Sequence, residues 1–216
     1  MIGPNGAGKT TLFSIIAGSL APTSGAVAFR GRDVTGVKPF EAVRAGIART
    51  HQIVRPFKSM TVLENVEVGV RFGRNKVRGS AAVRQEAEKA LELVGIAHAA
   101  NTSAANLCVG DQKRLELART LAAQPELLLC DEVCSGLTEN EMLSVLELLC
   151  RIRQLGTTIV FIEHNLKAIL SICDRILVLN FGQKLAEGPP GEIQNDPSVI
   201  EAYIGKTVVA EMERER

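Results

Sequence analysis

A chain of 216 residues, 46% hydrophobic and 23% charged, has room for one sizeable core, or for one core with a small subdomain. Its 25 basic side chains against 24 acidic ones leave a formal net charge of +1, so no broad field draws in nucleic acid, although a local basic patch remains compatible. No apolar run approaches membrane-spanning length and no signal peptide is visible, so a soluble globular protein is expected in the cytosol unless a partner holds it elsewhere.

The chain opens on Gly3-Pro4-Asn5-Gly6-Ala7-Gly8-Lys9-Thr10, a full GxxxxGKT phosphate-binding loop preceded only by Met1 and Ile2. Gly3, Gly6 and Gly8 let the backbone turn and approach phosphate oxygens with no Cβ in the way, and Lys9 reaches toward the β- and γ-phosphates. Thr10 would place its hydroxyl on Mg²⁺, and Thr11 adds a second hydroxyl near the α-phosphate. The stretch from Thr11 to Gly18 reads as the apolar helix that such a loop leads into.

Next comes a turn signal, Pro22-Thr23-Ser24-Gly25, then a strand over 26–30 and a short helix over 39–45. Residues 59–123 look mainly helical. There Ser80 caps a segment whose Val83, Ala87, Ala90, Leu91 and Val94 share one face, with Gly95 as its stop. From Gly110 to Ala123 an amphipathic helix opens on a glycine. A buried strand over 127–130 precedes a capping box, Thr138 with Glu141, and a helix lined by Met142, Val145, Leu146, Leu149 and Ile152. Two more apolar strands cover 157–163 and 175–180. The alternation predicts an α/β fold, a parallel sheet with helices on both faces, interrupted by a helical insertion. Cys108, Cys130, Cys134, Cys150 and Cys173 lie mostly in apolar segments without CxxC spacing, and read as reduced thiols used as small core residues.

Three further features carry chemistry. Asp131-Glu132 follows the strand of apolar residues; alone it could be a solvated strand end, but beside a phosphate loop Asp131 is the metal candidate and Glu132 the general base. His164 ends the strand over 157–163, where an imidazole could hydrogen-bond a γ-phosphate or the attacking water, while its neighbour Glu163 reads as a surface or hinge acid. The helix opening at Gly110 offers a second phosphate site, and one nucleotide has no need of two such caps from one subunit. A dimer resolves this, the Gly110 helix facing the nucleotide on the partner's loop.

Together these residues make the chain resemble the ATP-binding subunits of ABC transporters. Leu107-Cys108-Val109-Gly110-Asp111-Gln112 is similar to the LSGGQ signature, Asp131-Glu132 and His164 follow at the expected distances, and Gln52 matches the glutamine loop. Within that family the resemblance runs to branched-chain amino-acid transporters, through the stretch from Gly46 to Phe57, the phrase Met60-Thr61-Val62-Leu63-Glu64-Asn65-Val66 and the ending from Asn195 to Gly205. It implies a P-loop NTPase (ABC ATPase) core, with parallel sheet, plus a helical subdomain. The core would take 1–54 and 124–205, the subdomain 55–123 and a tail 206–216. It also implies ATP and Mg²⁺ as ligands. Gly3, Pro4, Asn5, Gly6, Ala7, Gly8, Lys9, Thr10 and Thr11 would hold the nucleotide, with Cys108, Gly110 and Asp111 acting across the dimer. Thr10, Gln52 and Asp131 would serve the metal. Glu132 would be the base, His164 the switch on the γ-phosphate, Gln52 a contact to metal and lytic water, and 135–138 the loop that crosses the interface. The implied partners are transmembrane permease subunits, touched through 53–60, a second ATPase subunit in a homo- or heterodimer, and, indirectly, a periplasmic or extracellular solute-binding protein. Nucleic acid is not among them. The implied location is the cytoplasmic face of the plasma membrane. The basic residues Arg71, Arg74, Lys76 and Arg78 read as a solvated loop.

The sequence departs from the family at several points. Cys108 stands for a serine and is a weaker donor; Asp111 stands for a glutamine and brings an anion that Lys113 and Arg114 would offset; Val133 replaces a proline, Thr138 an acidic or amide residue, and His51 a phenylalanine beside Gln52. Members of the family carry further strands before the loop, with an aromatic side chain that stacks on adenine, a contact worth about 1–3 kcal/mol. The expectation is therefore that the natural start lies upstream of Met1. Two other readings remain open: an inactive or binding-only subunit, and a soluble ABC ATPase acting on nucleic acid or ribosomes.

Overall fold

The computed structural model describes residues 1–51 and 55–204. In chain order they form α1 (Lys9–Ile16), β1 (Ala28–Phe29), β2 (Arg32–Asp33), α2 (Pro39–Ala45), β3 (Ile47–Arg49), α3 (Val62–Phe72), α4 (Ser80–Val94) and α5 (Val109–Ala122). There follow β4 (Leu127–Asp131), α6 (Glu139–Gln154), β5 (Thr158–Ile162), α7 (Leu166–Ile172), β6 (Ile176–Asn180), β7 (Gln183–Gly188), α8 (Pro190–Ile193) and α9 (Pro197–Ile204). Contacts divide the chain into two compact units, one made of Met1–Leu12 with the segment from Ile162 onward, the other of Phe13–Phe161. Among the described residues no helix is long and apolar enough to cross a membrane.

In the larger unit a three-stranded sheet runs in the order β3-β4-β5. β3 and β4 are parallel, with Ile47, Ala48 and Arg49 opposite Leu127, Leu128 and Leu129. Leu128, Leu129 and Cys130 are fully buried, which is why this strand reads as an unbroken apolar run rather than an alternating one. The capping box at Thr138 forms as expected, with the Thr138 N–H donating to Glu141 Oε2 at 2.8 Å. Behind it α6 buries Val145, Leu146, Leu149 and Ile152, and also Leu148, while Met142 stays half-buried. The strand expected over 26–30 shrinks to β1, because Arg30 and Gly31 both adopt positive φ and turn the chain into β2.

Residues 59–123 supply three helices, α3, α4 and α5, that pack on one another. The apolar face of α4 is buried as its spacing predicts, at Val83, Ala87, Ala90, Leu91 and Val94, and Gly95 closes the helix at φ 80°. Its cap is Gly79 rather than Ser80, which is already helical. α3 and α5 approach so closely that a Cβ on Gly69 would lie 2.2 Å from the Arg119 carbonyl oxygen. Buried Asn65 in α3 holds the incoming chain, accepting the Phe57 N–H at 2.8 Å and donating to the Phe57 and Thr61 carbonyls at 3.1 and 2.8 Å. α5 opens at Val109, one residue ahead of the expected glycine, with Cys108 as its cap. It buries two charged residues, Lys113 and Glu116, among Leu115, Leu117 and Ala118.

In the smaller unit Ile2 forms a parallel bridge with Val178, its N–H donating to Leu177 and its carbonyl accepting from Leu179, both at 2.9 Å. β6 is thus parallel to the start of the chain but antiparallel to β7, a hairpin partner that the alternating pattern missed. The turn between them uses positive φ at Phe181 and Gly182, and α8 and α9 pack against β7, whose mixed composition hides it as a strand.

Two outcomes follow from the helical packing. Gly69→Ala drives a Cβ into α5 backbone and should cost about 2–3 kcal/mol in urea unfolding, whereas Gly191→Ala, with nothing near its Cβ, should stay within about 0.5 kcal/mol. Burial is the first cause that raises the Glu116 carboxyl above its ordinary value, with the His51 N–H, Arg119 and Lys113 opposing it. Between the ordinary and the raised value the folded state binds more protons than the unfolded one, so this contribution to stability is lost as pH rises through the raised value. The melting temperature of Glu116→Gln relative to the parent should therefore climb as pH rises above the ordinary carboxylate value.

Candidate nucleotide site

The loop hangs from Ile2 in the smaller unit. Gly3 has φ 150°, and a Cβ there would sit 2.1 Å from the Leu179 carbonyl oxygen, so any side chain would force the loop off β6. Gly6 and Gly8 follow at φ 80° and 94°, left-handed values that open the loop outward. A Cβ on Gly6 would meet nothing within 4 Å, and among the described residues the N–H groups of Gly6 and Gly8 meet no acceptor. The Ala7 N–H turns back onto the Pro4 carbonyl at 3.2 Å, and the Gly182 N–H reaches the Ala7 carbonyl at 3.1 Å. Lys9 is buried, its ammonium donating to the carbonyls of Gly3 at 2.7 Å and Pro4 at 3.0 Å. Its cation is thereby held against the carbonyls of the loop's first two residues. Outward amides, a cation and a helix N-terminus behind them fit a chain of phosphates. Thr10 and Thr11 are exposed at the start of α1.

Asp131 closes β4 in the larger unit, one residue beyond the strand expected over 127–130, with only 2% of its surface exposed. Its Oδ2 accepts from Arg49 Nη2 at 2.6 Å, and its N–H donates to the hydroxyl of fully buried Thr50 at 3.2 Å. Among the described residues nothing engages Oδ1, which leaves one carboxylate oxygen for a cation. Glu132 sits at φ 50°, a left-handed conformation that a side chain rarely adopts. Its carbonyl is held from two sides, by Lys113 Nζ at 3.3 Å and the Ser135 N–H at 3.1 Å. The side chain it carries is half-buried, and backbone held in a sparsely populated conformation clusters at functional sites.

Lys113 therefore does not offset Asp111 as its spacing suggested; it is buried and spends its charge on the Glu132 carbonyl, while Arg114 donates to the Val94 carbonyl. Cys108 is exposed at the head of α5 and is not a core thiol, although Cys130 and Cys134 are. Gly110 and Asp111 lie half-buried in the first turn of α5, where Asp111 is an acid at a helix N-terminus. Gln52 and the first two residues of the expected permease contact lie outside the described residues. His51 leads into them with its N–H on Glu116 Oε1 at 2.6 Å. Desolvation, then the charges of Arg49 and Arg119, lower its imidazole pKa, so at neutral pH the ring is uncharged like the phenylalanine it replaces.

His164, in the smaller unit, is exposed just beyond β5. Its N–H donates to Glu163 Oε2 at 3.3 Å. Glu163 is 5% exposed, not a surface acid. The basic loop is partly spoken for, Arg71 pairing with Glu67 and Arg74 with Glu126. Arg49, Thr50, Lys113 and Glu116 had no role in the sequence reading beyond a family phrase or a charge balance. Their signal was a charged or polar residue lodged between apolar neighbours in a short strand or on a buried helix face.

Comparison with known proteins places this arrangement. A family model described as ABC transporter matches residues 1–135, and one described as branched-chain amino acid ATP-binding cassette transporter matches residues 183–209. The high-affinity branched-chain amino acid transport ATP-binding protein LivG of Salmonella typhimurium is 42% identical, over 95% of this chain and 86% of its own length. Among solved structures, an ABC-transporter ATP-binding cassette in its ADP conformation superposes with TM-score 0.83 at 32% identity, covering 95% of this chain and 86% of the other. A dimeric post-hydrolysis cassette bound to ADP and Pi superposes with TM-score 0.78 at 26% identity, covering 88% and 83%. The chain belongs to the ABC transporter family of P-loop ATPases, in its branched-chain amino-acid ATP-binding branch.

Proposed function

We propose that this chain binds and hydrolyses ATP to drive a membrane importer for branched-chain amino acids or similar small polar solutes. The observation that carries the reading is the loop from Gly3 to Thr10, with its positive-φ glycines and the Lys9 ammonium held on the Gly3 and Pro4 carbonyls. Lys9 and the loop amides hold the β- and γ-phosphates. Thr10, Asp131 and Gln52 hold Mg²⁺, which when bound neutralises phosphate charge. Glu132 takes the proton of the attacking water, and His164 hydrogen-bonds the γ-phosphate. Cys108, Gly110 and Asp111 at the head of α5 serve the nucleotide of a second ATPase subunit, same or different, as the dimeric relative supports. The loop 135–138 crosses that interface. Alternate closing and opening of the pair then moves the permease subunits, reached through 53–60, at the cytoplasmic face of the membrane, and a solute-binding protein delivers the solute on the far side.

Glu132→Gln should lower ATP turnover about a hundredfold or more while keeping ATP binding and producing an ATP-dependent dimer by light scattering. Lys9→Ala should lose nucleotide binding itself, measured by equilibrium dialysis. Parental turnover in the Glu132→Gln protein would remove Glu132 from the chemistry. Affinity purification from membranes should recover permease subunits; recovery of nucleic acid without them would overturn the transport assignment.

A further inference from the structure

Arg49 ends β3 with 9% of its side chain exposed and presses its charge against an almost fully buried carboxylate. Its hydrogen bonding is incomplete. One N–H goes to Asp131 Oδ2 at 2.6 Å and another to the neutral hydroxyl of Ser14 at 2.8 Å. Nε is the sole buried side-chain nitrogen or oxygen among the described residues that has no partner. The face of the guanidinium lies over the ring of Phe13, 5.8 Å from its centroid, which keeps water off the group. A guanidinium frequently takes a carboxylate with two parallel N–H bonds. Here only one such bond forms, and it occupies Oδ2 while the described residues leave Oδ1 alone.

We propose that Arg49 is the resident counter-ion of Asp131: it neutralises and positions the carboxylate when no divalent cation is bound, and by keeping its charge on Oδ2 it sets the Mg²⁺ concentration that the site requires. This rests on the reading of Asp131 as a metal group. The chemistry is a competition between cations. A positive charge held 2.6 Å from one oxygen weakens the pull of the same carboxylate on a divalent ion at the other. Without Arg49, the carboxylate would be buried and uncompensated in the metal-free protein, a state that breaking a buried pair makes unfavourable. Arg49 therefore favours the metal-free fold and opposes the metal, and those effects separate experimentally.

The test uses the full chain in a Glu132→Gln background, so that nucleotide is not consumed, and titrates Mg²⁺ against binding of a fluorescent ATP analogue. Arg49→Met should lower the Mg²⁺ concentration for half-saturation about tenfold, and Arg49→Lys, which keeps the charge, should stay within about threefold of the parent. In the absence of metal, the melting temperature of Arg49→Met should fall by several degrees and recover in Arg49→Met/Asp131→Asn. If the Met variant does not fold, Arg49→Gln, which retains a donor without the charge, should show the same lowering. Unchanged half-saturation in the charge-removing variants, with Asp131→Asn raising it, would overturn the proposal while leaving Asp131 as the metal group. If Asp131→Asn also leaves half-saturation unchanged, the metal reading of Asp131 fails first.

Discussion

Parallel pairing of Ile47, Ala48 and Arg49 with Leu127, Leu128 and Leu129 sets the level at which both strands end, and with it the place of each charged group that follows. Because the strands run side by side in one direction, Arg49 and Asp131 emerge together at their carboxyl ends, where a parallel sheet delivers its functional residues. Thr50 extends the pairing by one more bond to Leu129 and then offers its hydroxyl to the Asp131 N–H, so backbone and side chain agree on one register. A slip of a single residue would separate the ion pair and put Arg49 where Thr50 is buried.

α5 is tied to the same strand ends by its charged residues rather than by its apolar ones. Lys113 reaches the Glu132 carbonyl and Glu116 receives the His51 N–H, so one face of this helix holds the backbone of the acidic pair and the entry to the glutamine loop. Buried charges are costly unless partnered, and each of these has a defined partner. Their worth to the protein is that a movement of α5 must be felt at Glu132 and at His51.

Much of the architecture was legible in the chain. The bounds of α2, the buried face of α4, the capping box at Thr138 and the strand ending at Asp131 all follow from local rules: proline at a helix start, apolar spacing, a side-chain cap and a short apolar run. β3 and β7 were not legible. β3 is three residues long and β7 is largely polar, so neither carries enough periodicity to announce a strand; each exists because a neighbouring strand supplies its hydrogen-bond partners. The same limit hid Glu163, whose burial comes from its surroundings rather than from its own chemistry.

The loop from Gly3 to Thr10, the acidic pair and the signature-like turn at Cys108 are local patterns, and the sequence by itself was enough to indicate the family. Those motifs depend on residue type at fixed spacing along the backbone, which a linear chain displays directly. Tertiary structure alone decided that Arg49 partners Asp131, that Lys113 holds Glu132 instead of balancing Asp111, and that Glu116 is buried against His51. These pairs are far apart in sequence, and an ion pair has no signature until folding brings its members within reach and takes the water away.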